Sequence, residues 1–233
     1  MDGWTCVFDL DGTLIDTAPD LIRATNHVLA LQGLAAVGEE ALRPVISFGS
    51  RRMIETGLAV HGVDLPDTDV TRLWQAFLAF YASNIAVESR PFPGMPEALT
   101  ELATQGARLA VCTNKREALA RQLLDELGLA ERFTVITGVD TFPVCKPHPD
   151  HLLGCISRAG GHRERALMVG DSDTDVQTAI SAGVPVVGVT FGYTEIPMRD
   201  LPADAIIEHY RDLVPALMRL RDGPGADGAR GSG

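Results

Sequence analysis

The chain has 233 residues, and its 31 acidic against 20 basic side chains leave a formal charge of −11. That balance argues against a nucleic-acid backbone or an anionic membrane surface as main partner, because either would be repelled over most of the surface, and any phosphate ligand must meet a local cation. An apolar fraction of 45%, spread along the chain, excludes a wholly disordered or collagen-like protein, and the length accommodates an α/β domain that carries a smaller second one.

No apolar run approaches the roughly 18 residues of a transmembrane helix, and Met1-Asp2-Gly3-Trp4 lacks the basic start of a signal peptide. The expectation is a soluble, cytoplasmic protein, a monomer or homodimer. Cys6, Cys112, Cys145 and Cys155 form no CxxC pair and read as small core residues in a reducing compartment, not as a zinc or disulfide framework.

In chain order, the first buried strand is expected at Thr5–Phe8. From Asp16 to about Glu88 helical periods follow one another with no convincing strand, at Asp20–Leu31, Glu39–Val45, Arg51–Val60 and Asp69–Ala86. The last carries Leu73, Trp74, Phe77, Leu78 and Tyr81 at core-facing spacing, and Trp4 and Trp74 read as packing residues. The segment Arg90-Pro91-Phe92-Pro93-Gly94 reads as a stiff hinge, because proline restricts both itself and its predecessor.

Apolar strands alternating with helices follow at Arg108–Cys112, Ala166–Val169 and Pro185–Val189, with weaker ones at Phe133–Thr137 and Ala205–Ile207. Gly106, Gly128 and Gly183 stand where helices would end. The fold expected is α/β: a doubly wound, Rossmann-like parallel sheet formed by 1–15 and 90–221, with an inserted all-α cap over 16–89. The glycine-rich tail, 222–233, is expected to be disordered.

Asp9 and Asp11, in Asp9-Leu10-Asp11-Gly12-Thr13-Leu14, project to the same side at the carboxyl end of the first strand, where open α/β sheets bind ligands. Two carboxylates there can divide nucleophilic and proton-transfer work. A second acidic cluster, Gly170-Asp171-Ser172-Asp173-Thr174-Asp175, fails as a calcium loop because Val176 stands where glycine is required and Ala182 where glutamate is required. Helix capping accounts for one of its acids but not for three.

Thr113-Asn114-Lys115 follows a strand, where a hydroxyl and amides suit a phosphate oxygen, and Lys146 supplies a charge between two prolines. Lys115 and Lys146 are the only lysines in the chain. Among the six histidines no metal-ligand spacing stands out, and His148 is expected to be exposed.

The order Asp9/Asp11, Thr113, Lys146, Asp171 resembles the haloacid dehalogenase-like superfamily, specifically its phosphatases with a helical cap inserted after the first motif. The resemblance implies that Asp9 attacks phosphorus to form an aspartyl phosphate and that Asp11 protonates the leaving alcohol and then activates water. It implies Mg2+ held by Asp9, the Asp11 backbone carbonyl and Asp171, with Asp175 in an outer role. Thr113 and the Asn114 amide would bind the phosphoryl group, and Lys146 would balance charge.

The acid at Asp11 points to an alcohol or sugar leaving group rather than a halide. The inserted segment has no lysine for Schiff-base phosphonatase chemistry. β-Phosphoglucomutase-like phosphotransfer and sugar-phosphate hydrolysis remain alternatives, as does a receiver-like phospho-aspartate domain, which needs only about half this length and carries its aspartate on a later strand.

Ser47-Phe48-Gly49-Ser50-Arg51-Arg52 resembles the cap loop of phosphoglycolate phosphatases. It is expected to hold a substrate carboxylate through amides near Gly49 and Ser50 and through Arg51 or Arg52. 2-Phosphoglycolate is therefore the first substrate expected.

Overall fold

Strand β1 (Thr5–Phe8) opens the chain and leads into a two-residue strand, β2 (Ile15–Asp16), in the computed structural model, which describes residues 1–222. Four helices follow, α1 (Ala18–Ala30), α2 (Glu39–Leu42), α3 (Ser50–Val60) and α4 (Asp67–Ala82), before β3 (Arg90–Pro91) returns the chain. The remainder alternates α5 (Met95–Thr104), β4 (Arg108–Cys112), α6 (Glu117–Glu126), β5 (Val135–Thr137), α7 (Pro149–Arg158), β6 (Ala166–Gly170), α8 (Asp173–Ala182), β7 (Val186–Val189), β8 (Ala205–Ile207) and α9 (Leu213–Asp222). Asp222 still belongs to α9, and the rest of the expected disordered tail lies outside the described residues.

Six strands form one parallel sheet in the order β5-β4-β1-β6-β7-β8. All four residues of β1 are buried, as a central strand covered on both faces requires. Its side chains alternate between the faces: Val7 joins Leu152, Ile156, Val176 and Ala179 of α7 and α8, whereas Cys6 and Phe8 join Leu99, Leu102, Leu213 and Leu217 of α5 and α9. The chain runs outward from β1 in one direction through β4 and β5, then crosses to β6 on the other side. This switch point lies at the carboxyl end of β1, where a crevice opens.

The helical insertion departs from its expected boundaries for local reasons. Pro44 cannot donate the helical hydrogen bond, so α2 stops at Leu42 and continues as a 3-10 turn over Arg43–Phe48. Helix α4 ends at Ala82 rather than Ala86, because the Ser83 hydroxyl and Asn84 amide donate to the carbonyls of Ala79 and Phe80. Strand β7 begins after Pro185.

The two crossings, expected near Asp16–Ala18 and Ser89–Pro93, are tied together. Ile15 pairs with Pro91 and Asp16 with Arg90 in a short antiparallel ribbon. The buried Asp20 carboxylate accepts from Glu88 N at 3.0 Å, Ser89 N at 2.9 Å and Ser89 Oγ at 2.8 Å, and it pairs with Arg23 at 2.9 Å. Asp20→Ala strands these donors, and an expected loss of about 2–4 kcal/mol is measurable as a lower urea midpoint. A loss below about 0.5 kcal/mol would show that the strap carries no stability.

Candidate active site

Asp9 continues the sheet beyond β1, its amide donating to Val169 O at 3.0 Å, so its carboxylate stands at the carboxyl edge. Gly12 then turns at φ +83°, and a Cβ there would lie 2.3 Å from Asp171 Oδ2, so glycine is needed both for the turn and for the close approach. Thr13 Oγ1 donates to Asp171 Oδ1 at 3.0 Å, and Tyr193 N donates to Asp171 Oδ2 at 2.7 Å. Loops after β1, β6 and β7 thereby fix one carboxylate.

Lys146 is buried. Its ammonium donates to Asp175 Oδ1 at 2.6 Å and stands 2.7 Å from Asp9 Oδ1. The Asn114 side chain brackets the lysine backbone, donating to Lys146 O at 3.0 Å and accepting from Lys146 N at 3.1 Å, while His151 Nδ1 also accepts from that amide. Asn114 therefore positions Lys146 with its side chain and has only its backbone N–H to offer a phosphoryl group. Asp175 forms a capping box with Ser172 at the start of α8, so both its oxygens are engaged, one by Lys146 and the other by Ser172.

Asp9, Asp171 and Asp175 present carboxylate oxygens within 4.8 Å of one another. Burial pushes the Asp9 carboxyl up to about 6, with Asp175 adding to the rise and Lys146 opposing it. Asp171 is pushed well above the carboxylate range by burial, then by Asp175 and Asp9. Beyond the ammonium beside it, Asp9 Oδ1 is buried without a hydrogen bond among the described residues. An oxygen-only donor set carrying excess negative charge fits a hard divalent cation such as Mg2+; Asp9 and Asp171, the latter oriented by neutral donors, would hold it, whereas Asp175 is committed to the Lys146 ammonium.

Asp11 receives Thr17 Oγ1 at 2.7 Å and the Lys115 ammonium at 2.8 and 2.9 Å. Burial works against the charge on Lys115, but Asp11 outweighs it and holds the ammonium above the ordinary lysine range. Lys146 is the one lysine to which the resemblance gives a charge-balancing role. The fold adds Lys115, and its rarity in the chain was the available signal.

These groups face a cavity of about 480 Å³ between sheet and insertion. Thr113 lines its floor beside Asp9 and Lys146. Its opposite wall is mostly apolar and includes Phe48, Met53, Trp74 and Phe77. Trp74, expected to pack, is only half-buried and presents its ring to the cavity wall, its indole N–H donating to Ser50 Oγ at 3.0 Å. Leu73, Phe77 and Tyr81 from the same stripe are buried, as expected.

Gly49, Ser50 and Arg51 line the cavity; Arg52 does not and is exposed. The Arg51 guanidinium is held by Glu55, Thr71 and Asp67 at the start of α4. The Arg51 guanidinium is thus already paired with groups of α3 and α4 where it lines the cavity, and Arg52 lies outside the lining. His148 is exposed and caps α7, as expected of a loop residue.

The family model of haloacid dehalogenase-like hydrolases matches residues 6–189. The chain belongs to the haloacid dehalogenase-like hydrolases. This hydrolase is an enzyme of their phosphatase branch. It is 45% identical over 223 residues to a phosphoglycolate phosphatase of Agrobacterium fabrum, covering 96% of each chain. It is 38% identical to an N-acetylmuramic acid 6-phosphate phosphatase of Pseudomonas aeruginosa, over 91% of this chain and 94% of that one. Among solved structures, a predicted phosphoglycolate phosphatase from Haemophilus somnus superposes with a TM-score of 0.85 at 30% identity, covering 92% of this chain and 97% of that one.

Sequence reasoning overlooked two further groups in the hydrolase. His151 orients the Lys146 backbone from within α7, and Tyr193 joins the acidic site to the insertion. While the Tyr193 amide holds Asp171, its hydroxyl accepts from Thr17 N at 2.7 Å and Ala18 N at 3.0 Å and donates to Asp16. Among the described residues no helix is long and apolar enough to cross a membrane.

Proposed function

We propose that the enzyme is a magnesium-dependent, cytoplasmic phosphomonoesterase that acts on a small phosphorylated metabolite, first of all 2-phosphoglycolate, through an aspartyl phosphate on Asp9. The observation that carries this reading is the buried Asp9 carboxylate, facing the cavity with Lys146 2.7 Å away and Asp171 in the same ligand group. The cytoplasmic assignment draws on the four free cysteines.

Asp9 attacks phosphorus, and the leaving alcohol takes a proton from Asp11. Asp11 then removes a proton from the water that attacks the phosphoaspartate, releasing inorganic phosphate and restoring both carboxyl groups. Thr113 Oγ1 and the Asn114 backbone N–H hold phosphoryl oxygens, and Lys146 offsets charge on Asp9 and on the phosphate. Mg2+, held by Asp9, the Asp11 carbonyl and Asp171, would supply positive charge where nucleophile and phosphate meet. Asp175 keeps Lys146 in place, and the apolar wall excludes bulk water.

A second reading is an amino-sugar or sugar phosphate as substrate. Its support is the 480 Å³ cavity with Trp74 on its wall, together with the relative named for N-acetylmuramic acid 6-phosphate. Comparing kcat/KM across a panel of phosphorylated metabolites at fixed Mg2+ decides between them. The expected outcome is a preference of at least about tenfold for 2-phosphoglycolate over hexose and amino-sugar 6-phosphates; the reverse order would replace the first reading with the second.

A further inference from the structure

Among the described residues that line the cavity, four are cationic: Arg51, Lys115, Arg116 and Lys146. Lys146 lies between Asp9 and Asp175, on the side of the transferring phosphoryl group. Arg51 is bound by groups of α3 and α4, and the exposed Arg116 lies across the face of Trp74, 5.2 Å from the ring centroid. Lys115 differs from all three. Its side chain is 6% exposed, and its ammonium donates to both Asp11 oxygens while standing over the ring of Tyr81.

Tyr81 supplies the second, independent observation. It is 1% exposed, lines the same cavity from α4, and its ring centroid is 4.7 Å from the Lys115 ammonium. Its hydroxyl has no hydrogen-bond partner among the described residues. Buried phenols ordinarily find a partner, and the neighbouring wall groups Met53, Phe77 and Leu78 offer none. An acceptor brought by the ligand would satisfy it.

We infer that the Tyr81 hydroxyl and the Lys115 ammonium form a subsite for a carboxylate on the leaving group of the phosphomonoester. The inference rests on the phosphomonoesterase reading above and deepens it. The position selects the leaving group: Lys115 adjoins Asp11, the acid that protonates the departing oxygen, whereas the phosphoryl oxygens belong to Thr113, Asn114 and Lys146. The chemistry selects a carboxylate, because two oxygens on one carbon can accept from two donors that belong to different layers, one on the core and one on the insertion. Recognition of a phosphorylated hydroxy acid thus falls to this pair rather than to Arg51 or Arg52.

The test compares 2-phosphoglycolate with ethyl phosphate, which has the same ester bond but no carboxylate, in the wild-type enzyme, Tyr81→Phe and Lys115→Met. The expected result is a wild-type preference for 2-phosphoglycolate that drops by about tenfold or more in Tyr81→Phe, chiefly through KM, and drops also in Lys115→Met. A wild-type preference that survives undiminished in Tyr81→Phe overturns the subsite and leaves the substrate reading standing. No wild-type preference between the two esters overturns both. Because Lys115→Met also disturbs Asp11, the ratio of the two substrates, not the rate on either, is its readout.

Discussion

Asp9→Asn is expected to lower kcat by about 10⁴-fold or more on any phosphomonoester, because in the proposed mechanism it removes the attacking carboxylate while leaving the cavity intact. The protein should nevertheless remain folded. Burial pushes the Asp9 carboxyl up to about 6, so ionising it disfavours the folded state. A carboxyl whose folded pKa lies above its unfolded value contributes stability at low pH that is lost as pH rises from the ordinary range near 4 through about 6. At pH 7.5 in chelator the variant should therefore melt at or above the temperature of the parent. Retained turnover would remove Asp9 from the nucleophile's role, and a collapse in Tm would show that lost activity reports unfolding instead.

Removal of divalent metal should be as severe. Asp9, Asp11, Asp171 and Asp175 gather four carboxylates near two ammonium groups, so the pocket stays negative when all are ionised. A phosphate charge about 4 Å from one uncompensated carboxylate meets about 4 kcal/mol of repulsion at an effective dielectric near 20. Thorough chelation is expected to abolish turnover and added Mg2+ to restore it. Binding is also visible without catalysis: Mg2+ at about 100 times its Kd stabilises the folded state by about 2.7 kcal/mol, raising Tm by about 5–10 °C for a chain of this size. Asp171→Asn should lose most of that rise. Undiminished activity in chelator, or an unchanged Tm on adding Mg2+, would refute the assignment.

The sheet and its acidic rim were legible because their signals are local. Thr5–Phe8 is an unbroken buried strand that runs directly into Asp9, and the Asp171 cluster follows Ala166–Gly170 in the same way. What escaped depends on contacts between distant segments. The Lys115–Asp11 pair spans 104 positions, and a single lysine has no periodicity to reveal its partner. The β2–β3 ribbon, two residues on each side, is too short to show an alternating pattern.

Helix periodicity also says which face is apolar, not what that face meets. Leu73 is buried within the helical layer, Phe77 is buried yet reaches the cavity wall, and Trp74 and Leu78, each one position further on, line that wall while only half-buried. The pairing of Arg51 was hidden for the same reason: Asp67, 16 residues further on, becomes its partner only once α3 and α4 pack.

The ribbon that joins the crossings has an engineering consequence. Since Ile15 faces Pro91 and Asp16 faces Arg90, the chain leaves the sheet layer and re-enters it at adjacent points. The segment between them is thus plugged in at a single socket, and a loop of a few residues could bridge the gap if it were excised. Lids of other lengths or origins could be grafted at this junction while β1 still delivers Asp9 to the same place, which makes the family's catalytic chassis separable from whatever selects its cargo.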